Sequence, residues 1–182
     1  TMDAFEMCST CREEYADVLD RRFHAQPVAC KNCGPQYKLT VDDRQWTETG
    51  DIIPATAKLL EEGNIIAIKG LGGFHLACDA LNEESVARLR KGKNRDGKPF
   101  AVMYRNLEAV KEFHHIGQDE EDELMSWRRP IVLLKNKYGH QMLANSVSNR
   151  FGTTGVMLPY MPFHHLLFDK MKLDVVVMTS GN

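Results

Sequence analysis

Residues 67–80, "AIKGLGGFHLACDA", begin as a buried apolar strand, open into three glycines within four residues, and keep Lys69, His75 and Asp79 close to them. Glycines let a backbone approach a ligand closely, and Lys69 brings positive charge to the same place, so phosphate is the ligand this turn suggests. It is not a dinucleotide-binding fingerprint. Gly70, Gly72 and Gly73 are spaced G-x-G-G, His75 stands where the third glycine would be, and no clear helix follows directly.

On either side the pattern alternates between helical and extended segments. "PATAKLLEEG" reads as a helix with Pro54 in its first turn and Gly63 at its end, and it leads into the apolar strand "NIIAIK". Beyond the glycines, "NEESVARLRK" has Asn82 as a cap, acidic residues in the first turn and basic ones in the last. The loop "GKNRDGKP" precedes the strand "FAVMY", and Asn106 can cap the helix "LEAVKEFHH". An acidic-headed helix "QDEEDELMSW", the strand "PIVLLK", the shorter strand "TGVMLP", the helix "PFHHLLFDKM" and the buried strand "DVVVMTSGN" complete the chain. Such a mixture implies an α/β or α+β domain with a substantial mixed sheet and flanking helices, whose strand order the sequence does not reveal. His114, His115, His164 and His165 read as helix residues and not as metal ligands, because no cysteine or carboxylate is arranged with them at ligand spacing.

Four of the five cysteines, Cys8, Cys11, Cys30 and Cys33, form C-x2-C, eighteen residues, C-x2-C. In a reducing compartment this spacing reads as a four-thiolate zinc site, closed to water and therefore structural; a pair of disulfides is the alternative. The fifth, Cys78, reads as a small core residue. The first forty residues show no sustained helical or strand periodicity, so the metal is expected to organise them. Arg21, Arg22 and His24, between the cysteine pairs, read as solvated loop residues. "DDRQWTETGD", residues 42–51, reads as a linker, giving a finger over residues 1–45 and a second domain over 51–182. Because the chain stops on a polar turn at the end of an apolar strand, it is expected to be a piece of a longer protein, with that second domain truncated.

A length of 182 residues, 43% of them hydrophobic, supports one substantial core plus a small appendage. No apolar run approaches the roughly 18 to 20 residues that span a bilayer, and the start resembles no signal peptide, so the expected location is cytoplasmic, with no membrane partner. A net charge of −2 argues against a duplex-binding protein with a broad basic surface, and nucleic acid is not an expected partner.

Three polar segments fit a nucleotide: Lys69 with the glycine turn and His75; "KGKNRDGKP" with Lys91, Lys93, Arg95 and Lys98, able to converge on a triphosphate; and "TSGN", where Thr179, Ser180 and Asn182 offer hydroxyl and amide groups. A solvated lysine-rich loop and a plain polar turn are the alternatives for the last two.

Taken with the cysteines, "IKGLGGFHLACDA", "VARLR", "KNR...KPFAVM", "RRPIVLL", "GVMLPYMPFHHLL" and "VVVMTSGN" resemble the YrdC-like domain of the HypF family of hydrogenase maturation carbamoyltransferases. "CSTCREEY" and "DRRFHAQPVACKNCGP" resemble the second of that family's zinc fingers. The resemblance implies a YrdC-like mixed twisted sheet preceded by a small four-cysteine zinc finger. It also implies ATP and carbamoyl phosphate or carbamate as substrates, Mg2+ as a cofactor beside structural Zn2+, and a maturation protein whose C-terminal cysteine accepts the carbamoyl group. Lys93 and Arg95 then match the family's K-x-R loop, and Ser180 with Asn182 its S-x-N turn. Catalysis would fall to Lys69, Lys93 and Arg95, with Lys98, Gly72, Gly73, His75, Ser180 and Asn182 binding the nucleotide and acyl group, and with Cys8, Cys11, Cys30 and Cys33 on zinc. The family's acylphosphatase-like, first-finger and transfer domains are not in this stretch. Two other readings share these features: a threonylcarbamoyl-adenylate synthase of transfer-RNA modification, and a non-enzymatic zinc-stapled module that binds nucleic acid or protein.

Overall fold

The computed structural model describes residues 6–26, 28–95, 97–137, 143–149 and 151–181. The chain divides into two compact units, residues 1–52 and 53–182.

The first unit contains α1 (Ser9–Ala16) and a hairpin of β1 (Leu39–Val41) and β2 (Arg44–Trp46), paired antiparallel with Val41 opposite Arg44. Both are departures from the sequence reading. α1 forms although its only buried residue is Cys11, because the cysteine pair anchors its first turn and Cys8 O accepts the amide of Arg12 at 3.0 Å. Much of the stretch read as a linker belongs to the hairpin. Its polar residues mark a tight turn: Asp42 adopts φ +51, a left-handed conformation that aspartate tolerates and two-residue hairpins favour.

A second difference concerns α2 (Thr49–Glu61), which already runs from Thr49, so Pro54 lies inside the helix and not in its first turn. Glu48 O accepts the amides of Asp51 and Ile52 at 2.9 and 3.0 Å and starts the helix upstream. Proline then omits one bond, the one that would have gone to Gly50 O. Buried Ile53, Ala57 and Leu60 recur at helical spacing and hold this helix by packing, each full burial of a large side chain stabilising by about 1.5–3 kcal/mol.

The second unit is built on a seven-stranded mixed sheet in the order β3-β4-β9-β5-β8-β7-β6. In chain order it runs β3 (Ile66–Lys69), β4 (Phe74–Asp79), α3 (Glu83–Gly92), β5 (Ala101–Tyr104), α4 (Leu107–Phe113), β6 (His114–His115), α5 (Gln118–Met125), β7 (Val132–Asn136), α6 (Asn145–Ser148), β8 (Thr153–Met157), α7 (Pro162–Lys170) and β9 (Val175–Ser180). Among the described residues, only β5 and β8 pair parallel; the other neighbours are antiparallel. The capping expectations hold: Asn82 accepts the amide of Ser85 at 3.0 Å and Asn106 that of Ala109 at 2.9 Å, each satisfying an orphan donor.

One face of the sheet, with Cys78, Val102, Tyr104, Val156 and Val177, joins Val86 and Leu89 of α3, Val110 and Phe113 of α4 and Leu124 of α5 in one core. Cys78 is thus the core residue its context suggested. His114 and His115 correct another expectation, since they form β6 and not the end of α4. The helix stops at Phe113, His114 pairs with Asn136 on β7, and its Nε2 meets the buried Tyr104 hydroxyl at 2.8 Å. Tertiary pairing overrides the local helical pattern here. His164 and His165 lie in α7 as read. Among the described residues, no helix is long and apolar enough to cross a membrane.

Candidate functional site

β4 is the element the glycine pattern obscured. The turn between β3 and β4 closes through the Gly70 amide on Gly73 O at 2.7 Å, and Lys69 and Phe74 face each other across the register, with the ammonium 5.1 Å from the Phe74 ring centre. Gly70 is required by its neighbours: a Cβ there would stand 2.7 Å from His75 Nδ1 and 3.2 Å from Gly73 O. A Cβ on Gly72 would meet nothing within 4 Å, so this part of the turn is open to an approaching group.

β4 then pairs with β9, placing His75 opposite Ser180 and Leu76 opposite Thr179, while the Gly181 amide binds Phe74 O. The glycine turn and the end of β9 therefore share one end of the sheet. β5 begins at the same end, and the loop before it folds back onto β9. Lys93 Nζ donates to Ser180 O at 2.7 Å, and Arg95 Nη1 donates to Thr179 Oγ1 at 3.4 Å. Arg95 also donates to Lys98 O at 3.1 Å and Pro99 O at 2.9 Å, with its guanidinium 5.1 Å from the Phe100 ring centre. These Arg95 partners are neutral oxygens and an aromatic face, so they hold its positive charge in place without neutralising it. Lys98 and Lys69 are exposed.

The sheet parity divides the predicted residues. Lys69, Phe74 and Thr179 share one face through the register Lys69–Phe74 and Leu76–Thr179, whereas His75 and Ser180 point to the other. Lys69 and His75, grouped together from sequence, thus flank the sheet end from opposite sides. Asn182 lies outside the described residues. On the His75 side stands His164 of α7, whose titration is pushed down to about 4 by burial, then by repulsion from His75 and His165. Among the described residues, His75 Nδ1 and His164 Nε2 are buried without a hydrogen-bond partner. A cavity of 680 Å3 also reaches the turn at Leu71; Trp127, Arg128, Arg129, Tyr160 and His165 are among its walls. The sequence reading gave these wall residues no role in a site, because they come from the segment between α5 and β7 and from the segment that runs out of β8 into α7, far apart in the chain.

In the first unit, the Cys8, Cys11, Cys30 and Cys33 sulfurs all lie within 4.8 Å of one another. Three of the separations are 3.6, 3.7 and 3.9 Å. A tetrahedron with Zn–S of about 2.3 Å has edges of about 3.8 Å, so the donor set fits that ion. A disulfide requires about 2.05 Å, and all four are free thiols, which removes the disulfide alternative. The second knuckle is turned by the Gly34 amide on Cys30 O at 2.7 Å, and a Cβ on Gly34 would approach that oxygen to 2.8 Å. Backbone hydrogen bonding lowers the Cys33 and Cys30 thiols, favouring thiolate, whereas burial raises Cys11. A bound dication would supply the charge that ionises the buried thiol.

Comparison with known proteins follows the same division. The family model described as "Telomere recombination", the Sua5/YciO/YrdC family, matches residues 58–182. The chain belongs to the Sua5/YciO/YrdC family. Ahead of this YrdC-like domain, the model described as "HypF finger" matches residues 7–40, supporting structural zinc on the four cysteines. The whole chain is 45% identical to the carbamoyltransferase HypF of Rhodobacter capsulatus, over 100% of this chain and 24% of that protein. Two solved structures are similar throughout. The HypF of T. kodakarensis has a TM-score of 0.85 at 49% identity, and a full-length HypF in a phosphate- and nucleotide-bound form has 0.80 at 50% identity. Each covers 100% of this chain and 23% of the solved one. The chain thus spans about a quarter of the length of the HypF proteins it matches. The YrdC-like fold and the HypF resemblance expected from sequence both hold.

Proposed function

We propose that this chain is the adenylation part of a carbamoyltransferase of hydrogenase maturation. Carbamate, released from carbamoyl phosphate, and ATP give carbamoyl-adenylate and pyrophosphate, and the carbamoyl group passes to the C-terminal cysteine of a partner maturation protein. The observation that carries this reading is the convergence of the glycine turn, the Lys93–Arg95 loop and the Ser180 corner at one end of the sheet.

The chemistry asks little covalent work of the protein. A carbamate oxygen attacks the α-phosphorus in line, a new P–O bond forms, and the bond to the β-phosphate oxygen breaks with its electron pair leaving on pyrophosphate. Two anions must be held together, and the charge gathering on the phosphate oxygens must be offset. In this reading Lys93, Arg95 and exposed Lys98 take the triphosphate. Lys69 meets the α-phosphate or carbamate from its side of the sheet end, and the Gly72–Gly73 backbone permits close approach. Ser180 and Asn182 hold phosphate or metal-bound water, and His75 orients the acyl group. Mg2+, when bound with the nucleotide, would neutralise part of the phosphate charge beside Ser180 and Asn182.

Pyrophosphate exchange into ATP tests this directly. With carbamate supplied as its ammonium salt, label should enter ATP; with threonine and bicarbonate it should not. Exchange driven only by threonine and bicarbonate would move the chain to the transfer-RNA pathway. No exchange and no ATP binding under either condition would leave a zinc-stapled binding module.

A further inference from the structure

Arg90 was read from sequence only as a basic residue in the last turn of α3, complementing the helix dipole. Its guanidinium does something more specific. Nη1 donates to Arg95 O at 2.6 Å and to Lys98 O at 3.1 Å, while Nε and Nη2 donate to Ser146 O and Nη2 reaches Val147 O at 3.2 Å. The same group lies 4.6 Å from the centre of the Phe100 ring, which Arg95 also covers. Lys98 O is shared between Arg90 and Arg95, and the Arg95 amide returns to Arg90 O at 3.2 Å. One planar cation thus ties both ends of the 95–98 segment to each other, to α6 and to a buried aromatic ring.

This loop is short and rich in charge and contains Gly97. Left unbraced, it would sample many conformations, and a ligand would have to order it at its own cost in affinity. The five donors of a guanidinium in a fixed fork can satisfy several carbonyls at once; an ammonium on a flexible stem cannot reproduce that geometry.

We infer that Arg90 is the positioning residue of the nucleotide site, acting through Arg95: it sets the loop so that Arg95 projects toward the phosphates before the nucleotide arrives. The inference rests on the proposed nucleotide reading for its ligand, and on the hydrogen-bond geometry alone for the bracing of the loop.

The test is a double-mutant cycle read by calorimetric titration with MgATP, together with amide hydrogen exchange of the ligand-free chain. Arg90→Gln and Arg90→Lys should each raise Kd about tenfold in the wild-type background and less than about twofold when Arg95 is already alanine, because the brace then has nothing to position. Effects that multiply independently in the two backgrounds would overturn the inference. In the ligand-free chain, exchange at the Arg95 amide should accelerate at least about tenfold in both variants while the β4, β5 and β9 amides keep their protection. Unchanged exchange at Arg95 would equally overturn it. Should Arg90→Gln fail to fold, Arg90→Lys retains the charge and decides. If the wild-type chain binds no MgATP, the nucleotide reading fails, and the exchange experiment still settles whether Arg90 braces the loop.

Discussion

Lys93 Nζ donates a 2.7 Å hydrogen bond to the main-chain oxygen of Ser180, joining the loop after α3 to the end of β9. A lysine that caps a strand carbonyl keeps its charge and is released when a stronger acceptor arrives. Lys93→Ala and Arg95→Ala should therefore each weaken MgATP binding by about tenfold or more, since bonds to charged groups contribute about 1.5–3 kcal/mol, while both variants still fold. Equal affinity in titration calorimetry would remove both residues from the site.

The sulfur tetrahedron predicts about one zinc ion per chain, bound in the reduced state, with a structural role. Elemental analysis should return that ratio. Cys33→Ser should lower it sharply and expose the amides of residues 8–34 to rapid exchange. A folded, reduced sample without zinc would contradict the assignment.

Gly70→Ala should strain the glycine turn, because the added carbon would meet the His75 ring and the Gly73 carbonyl. The Gly73 carbonyl accepts the Gly70 amide at 2.7 Å, so it cannot move aside without loosening the turn. A loss of about 1–3 kcal/mol in urea unfolding is expected, accompanied by weaker MgATP binding. Gly72→Ala, with open space around it, should cost little stability and report only on ligand approach.

Two buried histidines make stability depend on pH. Burial pushes both His114 and His164 down to about 4 from the ordinary 6.5, so the folded chain holds them neutral while the unfolded chain protonates them. Their contribution is complete above pH 6.5 and is lost as pH falls toward 4, by up to about 1.4 kcal/mol per pH unit for each histidine. Denaturation at pH 7, 5.5 and 4.5 should show this decline, and His164→Gln should reduce its slope. An unchanged slope in that variant would mean His164 accepts a proton without disturbing the fold.

Legibility in the sequence followed the locality of the physics. Asn82 and Asn106 announced α3 and α4 because a cap is a contact between residues three apart. The apolar runs before Lys69 and through Val175–Val177 announced strands; in β9 burial on both faces leaves no polar alternation, whereas β3, read as buried, is an edge strand in which only Ile68 is fully buried. What stayed hidden depended on partners distant in sequence. β4 follows a glycine turn and is defined by its pairing with β9, and His114 leaves the helical pattern because Asn136 and Tyr104 hold it. The chemistry of Lys93 and Arg95 was visible as a basic loop, whereas the brace provided by Arg90 required knowing that Ser146 and Phe100 lie beside it. The opposed directions of Lys69 and His75 follow from strand parity, which becomes legible only once β3 and β4 are placed in register.

The most direct measurement of a shared nucleotide site is the pattern of backbone amide shifts when MgATP is titrated into the labelled chain. Gly72, Lys93, Arg95 and Ser180 should move together along one saturation curve, with the finger amides still. Shifts confined to other segments, for instance around Trp127 and Arg129, with those four amides unmoved at saturation, would contradict it.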